Sequence, residues 1–166
     1  SSDETWNILC GLAEQDSRIV LERNQENMKI VKTLNKLVEK AEGKYIARMD
    51  ADDISDPARI MRQVELLEEN SLVGICGTGA WRINEENRII GRSFLPHTPE
   101  DIRLSSSYYS VFYHPSVMLR SKLYKENLYD EGYLYAEDME LWQRILRVTQ
   151  GVNLKERLLY YRLLKS

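Results

Sequence analysis

Cysteine is scarce in this chain: Cys10 and Cys76 are the only two among 166 residues. Two thiols make no disulfide framework, and their separation is not that of a metal knuckle. They read as buried thiols of a reducing compartment. Long apolar runs are also missing, since no stretch approaches the ~20 residues needed to span a bilayer. The polar, acidic residues 1–4 have no feature of a leader peptide. The expectation is a cytoplasmic domain, with peripheral association at the inner face of a membrane left open. Basic residues are not in excess either. Lys and Arg number 23 against 26 Asp and Glu, a net charge of −3, and they are spread along the chain. Nucleic-acid binding needs a concentrated basic face, so that class is excluded. A phosphate-bearing small substrate is not, because a bound cation can supply the positive charge.

What is present is an ordinary globular balance, 43% hydrophobic and 30% charged. The length suits one domain, residues 1–166, with a core large enough to carry a deep cleft. Apolar periodicity predicts helices over 3–14, 28–42 and 137–148 and strands over 18–23, 45–49, 73–76, 114–120 and 154–164. Asp56-Pro57 starts a further helix that ends near Asn70, with Asp56 as its cap. Thr98-Pro99-Glu100-Asp101 starts another. Residues 81–94 read as a hairpin around 84–87. Helices and strands alternate through the first half, which implies an α/β domain. The expected sheet is mostly parallel with helices on both faces, and the later hairpin adds an antiparallel part.

The chemistry concentrates at Asp50, Asp52 and Asp53, directly after the strand at 45–49. In open α/β sheets ligands bind beyond the carboxyl ends of strands. Carboxylates this close repel one another unless a cation or hydrogen-bond donors compensate. Magnesium or manganese suits them, preferring oxygen ligands and taking one or two carboxylates together with phosphate and water. A plainer reading is a solvated acidic turn in which Asp53 and Asp56 cap the next helix. A calcium loop beginning at Asp50 would need glycine sixth and glutamate twelfth; Ser55 and Met61 stand there, so it fails. A phosphatase with an Asp-x-Asp nucleophile stays as an alternative, although that motif normally follows a chain's first strand.

Several motifs then occur in a recognisable order. Residues 41–53 lead from Ala41-Glu42-Gly43 through Arg48-Met49 into the acidic cluster. Asp56-Pro57-x-Arg59-Ile60 follows, with Gln63, then His114-Pro115-Ser116-Val117-Met118. Tyr135-Ala136-Glu137-Asp138-x-Glu140-Leu141-Trp142 and Tyr160-Tyr161-Arg162 complete the series. This pattern resembles the inverting family 2 glycosyltransferases of the GT-A fold, collinearly and over nearly the whole chain. The opening residues 1–5 look like the tail of that family's Asp-Asp-Gly-Ser-x-Asp-x-Thr segment. The family's first strand is therefore expected to be missing, the domain N-terminally truncated, and a chain beginning at Ser1 to bind donor poorly.

The resemblance implies a sugar transfer, with inversion, from a nucleotide-diphosphate sugar to a glycan or lipid-linked acceptor. Asp50 and Asp52 match the pair that holds the divalent cation and the donor's ribose and diphosphate, with Asp52 in direct metal contact. Asp53 matches a third acid, ligand or cap. Asp138 matches the catalytic base, and Glu137 beside it is carried as donor-binding. The plainer account of both is a pair of acids favoured at a helix N-terminus. His114 is a candidate for metal or phosphate contact, against a packing or acceptor-side role, and His97 is expected to be inert. Lys29 and Lys32 match basic residues near the nucleotide, against a solvated helix face, and Asn35 matches a structural asparagine. Tyr133, Tyr135 and Trp142 are candidates to stack an acceptor sugar, although Trp142 falls on an apolar helix stripe. No Gln-x-x-Arg-Trp segment occurs, so a single-sugar transferase in cell-surface polysaccharide or lipopolysaccharide synthesis is expected over a processive one. A non-catalytic nucleotide-sugar-binding remnant is the alternative.

Overall fold

The computed structural model describes residues 4–133 and 135–164. In chain order the elements are α1 (Thr5–Gln15), α2 (Lys29–Lys40), β1 (Tyr45–Ala47), β2 (Ile54–Ser55), α3 (Arg59–Glu69) and β3 (Val73–Ile83). They continue as β4 (Ile89–Arg92), α4 (Pro99–Ser105), β5 (Met118–Arg120), α5 (Ser121–Glu126), α6 (Glu137–Ile145) and β6 (Gln150–Arg162). A 3-10 turn, His114–Ser116, precedes β5. The sequence segment 1–5 falls partly on residues 1–3, which lie outside the described residues, as does Leu134.

The α/β class is as expected, but the sheet is mixed rather than mostly parallel. Its order is β1-β5-β3-β6-β2 with β4 on β3, and β3–β6 is the one parallel pairing among the described strands. The alternation that suggested parallel strands is real in direction. β1 and β3, joined through α3, both run antiparallel to β5 and so parallel to each other. The sequence pattern gave no sign that β5 would insert between them.

Adjacent residues of a strand face opposite ways, and the two cores follow from that. Ile75 and Leu119 pack on one side with Val31, Val38, Leu141 and Trp142. Cys76 and Met118 pack on the other with Leu67 and Leu158. Helices α2 and α6 therefore cover one face and α3 covers the other.

Several local expectations change. Residues 18–23 form no strand, and Val20 is 88% exposed with no ladder partner beside it among the described residues. Helix α1 buries none of its apolar stripe, so Cys10 is only half-buried while Cys76 is fully buried. At residues 114–120 the Pro115 ring and a Ser116 N–H bond to the Tyr113 carbonyl make a turn, and the strand begins only at Met118. Asp56 caps one turn early: its Oδ1 accepts from the Ala58 N–H at 2.9 Å, ahead of the regular helix at Arg59. Thr98 caps α4 as its sequence suggests, accepting from the Asp101 N–H and donating to that carboxylate. No helix among the described residues is long and apolar enough to cross a membrane.

Candidate active site

Strands β1 and β2 stand at opposite ends of the strand order, so the loop 48–53 between them crosses from one edge of the sheet to the other. This loop carries the acidic cluster. The ligand atoms of Asp50, Asp52 and Asp53 lie within 4.8 Å of one another, with Asp52 exposed and the others half-buried. Burial raises the Asp53 carboxyl above its ordinary pKa, opposed by the Arg162 N–H it accepts and reinforced by the Asp52 and Asp50 charges. Its Oδ2 is buried and has no partner among the described residues. An unpartnered carboxylate oxygen beside two further acids fits a hard divalent cation.

The floor of the site depends on two side chains from one face of α3. Arg59, 2% exposed, donates to the Pro115 carbonyl at 2.5 Å and to the Arg48 carbonyl at 3.1 Å. Gln63, one helical turn on, donates to the Cys76 and Ser116 carbonyls at 2.7 and 2.8 Å. They tie the end of β1, the middle of β3 and the 114–116 turn into one unit. The Arg59-x-x-x-Gln63 spacing is thereby explained, since residues four apart share a helix face. Arg48 is itself buried and pairs with the Asp50 carboxylate.

Above this floor opens a cleft of about 550 Å³. Asp50 and Arg48 lie on its lining, as do His114 and, from the start of α6, Glu137 and Asp138. Residues 90 positions apart in the chain are thus brought to one cavity. Asp138 Oδ1 accepts from the Met139 N–H at 2.8 Å, and Oδ2 lies 3.4 Å from the Ser110 hydroxyl. Glu137 is 8% exposed, and its Oε2 has no partner among the described residues. The Asn153 side-chain amide donates to the Pro96 and Val111 carbonyls, each at 2.8 Å, and fixes the segments that carry Leu95 and Ser110 into the cleft wall. His97 Nδ1, 3.3 Å from the Asn153 carbonyl, braces the same place.

His114 lines the cleft but is not in the carboxylate cluster, which among the described residues comprises the three aspartates alone. Its Nε2 is engaged by the Tyr129 hydroxyl at 2.6 Å. Burial, and after it the charge of Arg48, push its pKa down to about 3, so the ring is neutral. Lys29 and Lys32 stand in a separate cavity of about 310 Å³, where Lys32 pairs with Glu131 at 3.4 Å. Ile30, between them in the chain, reaches the main cleft. Asn35 pins the Tyr129 backbone through both its donor and its acceptor, a structural role. Trp142 is a core residue, 1% exposed and packed edge-on against Phe112 and His114. Tyr133 and Tyr135 are half and fully exposed and are not on the cleft lining. The aromatic wall is made instead by Tyr113, Tyr161 and Phe94, beside Arg82. Alternation along β3 and β6 puts Arg82 and Tyr161 opposite each other, a signal that emerges only once the parallel register is known.

Residues 1–128 match the family model described as glycosyl transferase family 2. The chain belongs to that family. A curated relative, the Escherichia coli O-antigen biosynthesis glycosyltransferase WbnJ, is 35% identical over 134 residues, covering 78% of this chain and 52% of WbnJ. Among solved structures, this family 2 chain is similar to S. aureus TarS 1–349 in complex with UDP-GlcNAc. The TM-score is 0.77 at 20% identity, over all of this chain and 47% of TarS 1–349. It is also similar to the mannosyltransferase PcManGT from Pyrobaculum calidifontis in complex with GDP-Man and Mn²⁺. There the TM-score is 0.67 at 16% identity, over 99% of this chain and 45% of PcManGT. These neighbours are GT-A glycosyltransferases and fix the fold. The family 2 chain spans about half the length of the curated relatives it matches, and the phosphatase alternative falls with the assignment.

Proposed function

We propose that this chain carries the catalytic face of an inverting, divalent-metal-dependent glycosyltransferase. Its donor is a nucleotide-diphosphate sugar, and its acceptor is a glycan or lipid-linked glycan of cell-surface polysaccharide assembly, handled by a single domain. The observation that carries the reading is the convergence of Asp50 and Asp138 on one cleft, with Asp52 and Asp53 clustered beside Asp50. Support comes from the donors named in the neighbouring complexes, UDP-GlcNAc and GDP-Man, from the Mn²⁺ of the second, and from the O-antigen role named for WbnJ.

Asp52 and Asp50, joined by Asp53, are the residues that would hold Mg²⁺ or Mn²⁺. When bound there, the cation supplies positive charge to the leaving diphosphate. The remaining steps belong to the chain's own groups. Asp138 Oδ2 takes the proton of an acceptor hydroxyl as that oxygen bonds to the anomeric carbon. The bond from that carbon to the diphosphate breaks on the opposite side, and the nucleoside diphosphate departs with the electron pair. Oδ1 is held by the Met139 N–H at 2.8 Å, whereas Oδ2 accepts only the longer 3.4 Å bond from the Ser110 hydroxyl, so Oδ2 is the oxygen more readily released to act. Glu137, through its unpartnered Oε2, receives a donor-sugar hydroxyl, because a buried acceptor without a donor is costly until one arrives. Lys29 and Lys32 line the separate neighbouring cavity, so a part for them in nucleotide binding requires the donor to extend past Ile30 out of the main cleft. His114, neutral and held by Tyr129, offers a hydrogen bond in the cleft wall rather than a charge.

The test is a screen of UDP-, GDP- and dTDP-sugars with and without Mn²⁺, using the longest natural chain containing this sequence. Asp52→Asn is expected to abolish metal-dependent binding. Asp138→Asn is expected to keep binding and lose turnover by ~10²-fold or more, as removal of a general base does. No metal-dependent binding of any of these donors would sink the reading.

A further inference from the structure

The acidic loop needs its shape fixed from outside, because its three like charges oppose one another. Its neighbours show what does this. Arg162 is the last residue of β6, paired on one side with Ile83 at the end of β3. Its backbone N–H donates to Asp53 Oδ1 at 2.8 Å. Its guanidinium donates through Nε to the Asp52 carbonyl at 2.6 Å. Nη1 reaches the Asn84 carbonyl at 2.8 Å and Nη2 reaches Asn87 Oδ1 at 2.7 Å, both in the β3–β4 turn. Asn87 itself sits at φ 61, a left-handed position that asparagine tolerates better than most residues. The turn is further closed by Asn84 Oδ1, which accepts from the Glu86 and Arg88 N–H groups.

We propose that Arg162 is a positioning residue, a clamp that holds the Asp50–Asp53 loop in its cation-binding shape by bracing it against the 84–87 turn. The planar guanidinium suits this because it serves acceptors on two segments at once, which a lysine ammonium cannot do in the same geometry. Its direct partner in the acidic loop is a carbonyl, so it orders the loop and leaves the Asp52 side chain exposed for a ligand. The clamp stands on the reading of the acidic cluster as a cation and donor site.

The matched control is Arg120, whose guanidinium likewise spans carbonyls, those of Leu67, Asn70 and Val73, at the far end of β3. Two readouts are taken on the longest natural chain. Electron paramagnetic resonance measures Mn²⁺ binding with UDP and, separately, with GDP, and hydrogen exchange follows the amides of residues 50–56. Arg162→Ala is expected to weaken Mn²⁺ binding at least fivefold and to speed exchange across 50–56. Asn87→Ala should give a smaller effect in the same direction, and Arg162→Lys should recover only part of the loss. Arg120→Ala should lower the melting temperature without moving either readout. Equal effects of Arg162→Ala and Arg120→Ala would make Arg162 merely structural and overturn the clamp. Should the unaltered protein bind no Mn²⁺, the donor-site reading fails. The exchange comparison still decides the clamp, which falls if residues 50–56 exchange no faster in Arg162→Ala.

Discussion

Replacing Arg59 by methionine is the most searching test of how the cleft floor is built. The change keeps an unbranched chain in the space but removes the guanidinium. Two carbonyls, of Pro115 and Arg48, then lose their donor at buried positions. Each orphaned carbonyl costs about 1–3 kcal/mol, so the gross loss is about 2–6 kcal/mol. Against this stands the relief of a buried cation. Burial depresses the Arg59 pKa, and Asp53 opposes that only through space. Among the described residues no carboxylate hydrogen-bonds to the guanidinium, so removing the charge returns part of its desolvation cost. The net expectation is a loss of about 2–4 kcal/mol. For a chain of this size that is a melting temperature lower by about 4–16 °C, at about 2–4 °C per kcal/mol. Urea unfolding followed by tryptophan fluorescence measures the stability, and donor binding measures the site. Because Arg59 joins the Arg48 end of the acidic loop to the His114 turn, binding should weaken more than stability alone predicts. A change under about 0.5 kcal/mol, the size of an ordinary surface substitution, with donor binding intact would refute the bridging role.

Further predictions follow from other places. The Glu22 carboxylate pairs with Lys36 and Lys40, which draw its pKa from 4.5 to about 2. A depressed pKa means the pairs' contribution is complete above pH 4.5 and is lost as pH falls through about 2. A ¹³C-carboxyl titration should therefore place the Glu22 midpoint near 2, and a midpoint near 4.5 would show that the segment 18–23 is not docked on α2. Burial pushes the Cys76 thiol up to about 12, so a disulfide reagent at pH 8 should modify only half-buried Cys10 in the native protein and both thiols in urea. Gly77→Ala should destabilise by about 1–3 kcal/mol, an overpacking cost. A methyl group there would sit 2.2 Å from Asn153 Oδ1 and 2.7 Å from the Phe112 ring. Wild-type stability in that variant would mean that Asn153 does not hold the cleft wall as tightly as its hydrogen bonds indicate.

The amino-acid sequence by itself determined the class, the family and the identity of the chemical groups. Apolar periodicity marked α2 and α6 because one face of each meets a core, the Asp56-Pro57 start marked α3, and the acids at Asp50, Asp52 and Asp138 stood out by position and order. Capping chemistry at Thr98 was legible because its hydrogen bonds are local. Tertiary structure alone decided what depends on partners far along the chain. Residues 18–23 look like a strand, yet pairing needs a neighbour, and none lies beside them among the described residues. The insertion of β5 between β1 and β3 is a choice among registers that no local pattern encodes. Residue type named Arg59, Gln63, Asn153 and Arg162 as polar, but their work is to satisfy carbonyls many residues away. Asp138 followed the same rule: spacing allowed a helix-end acid, and only the fold put it on the same cleft as Asp50.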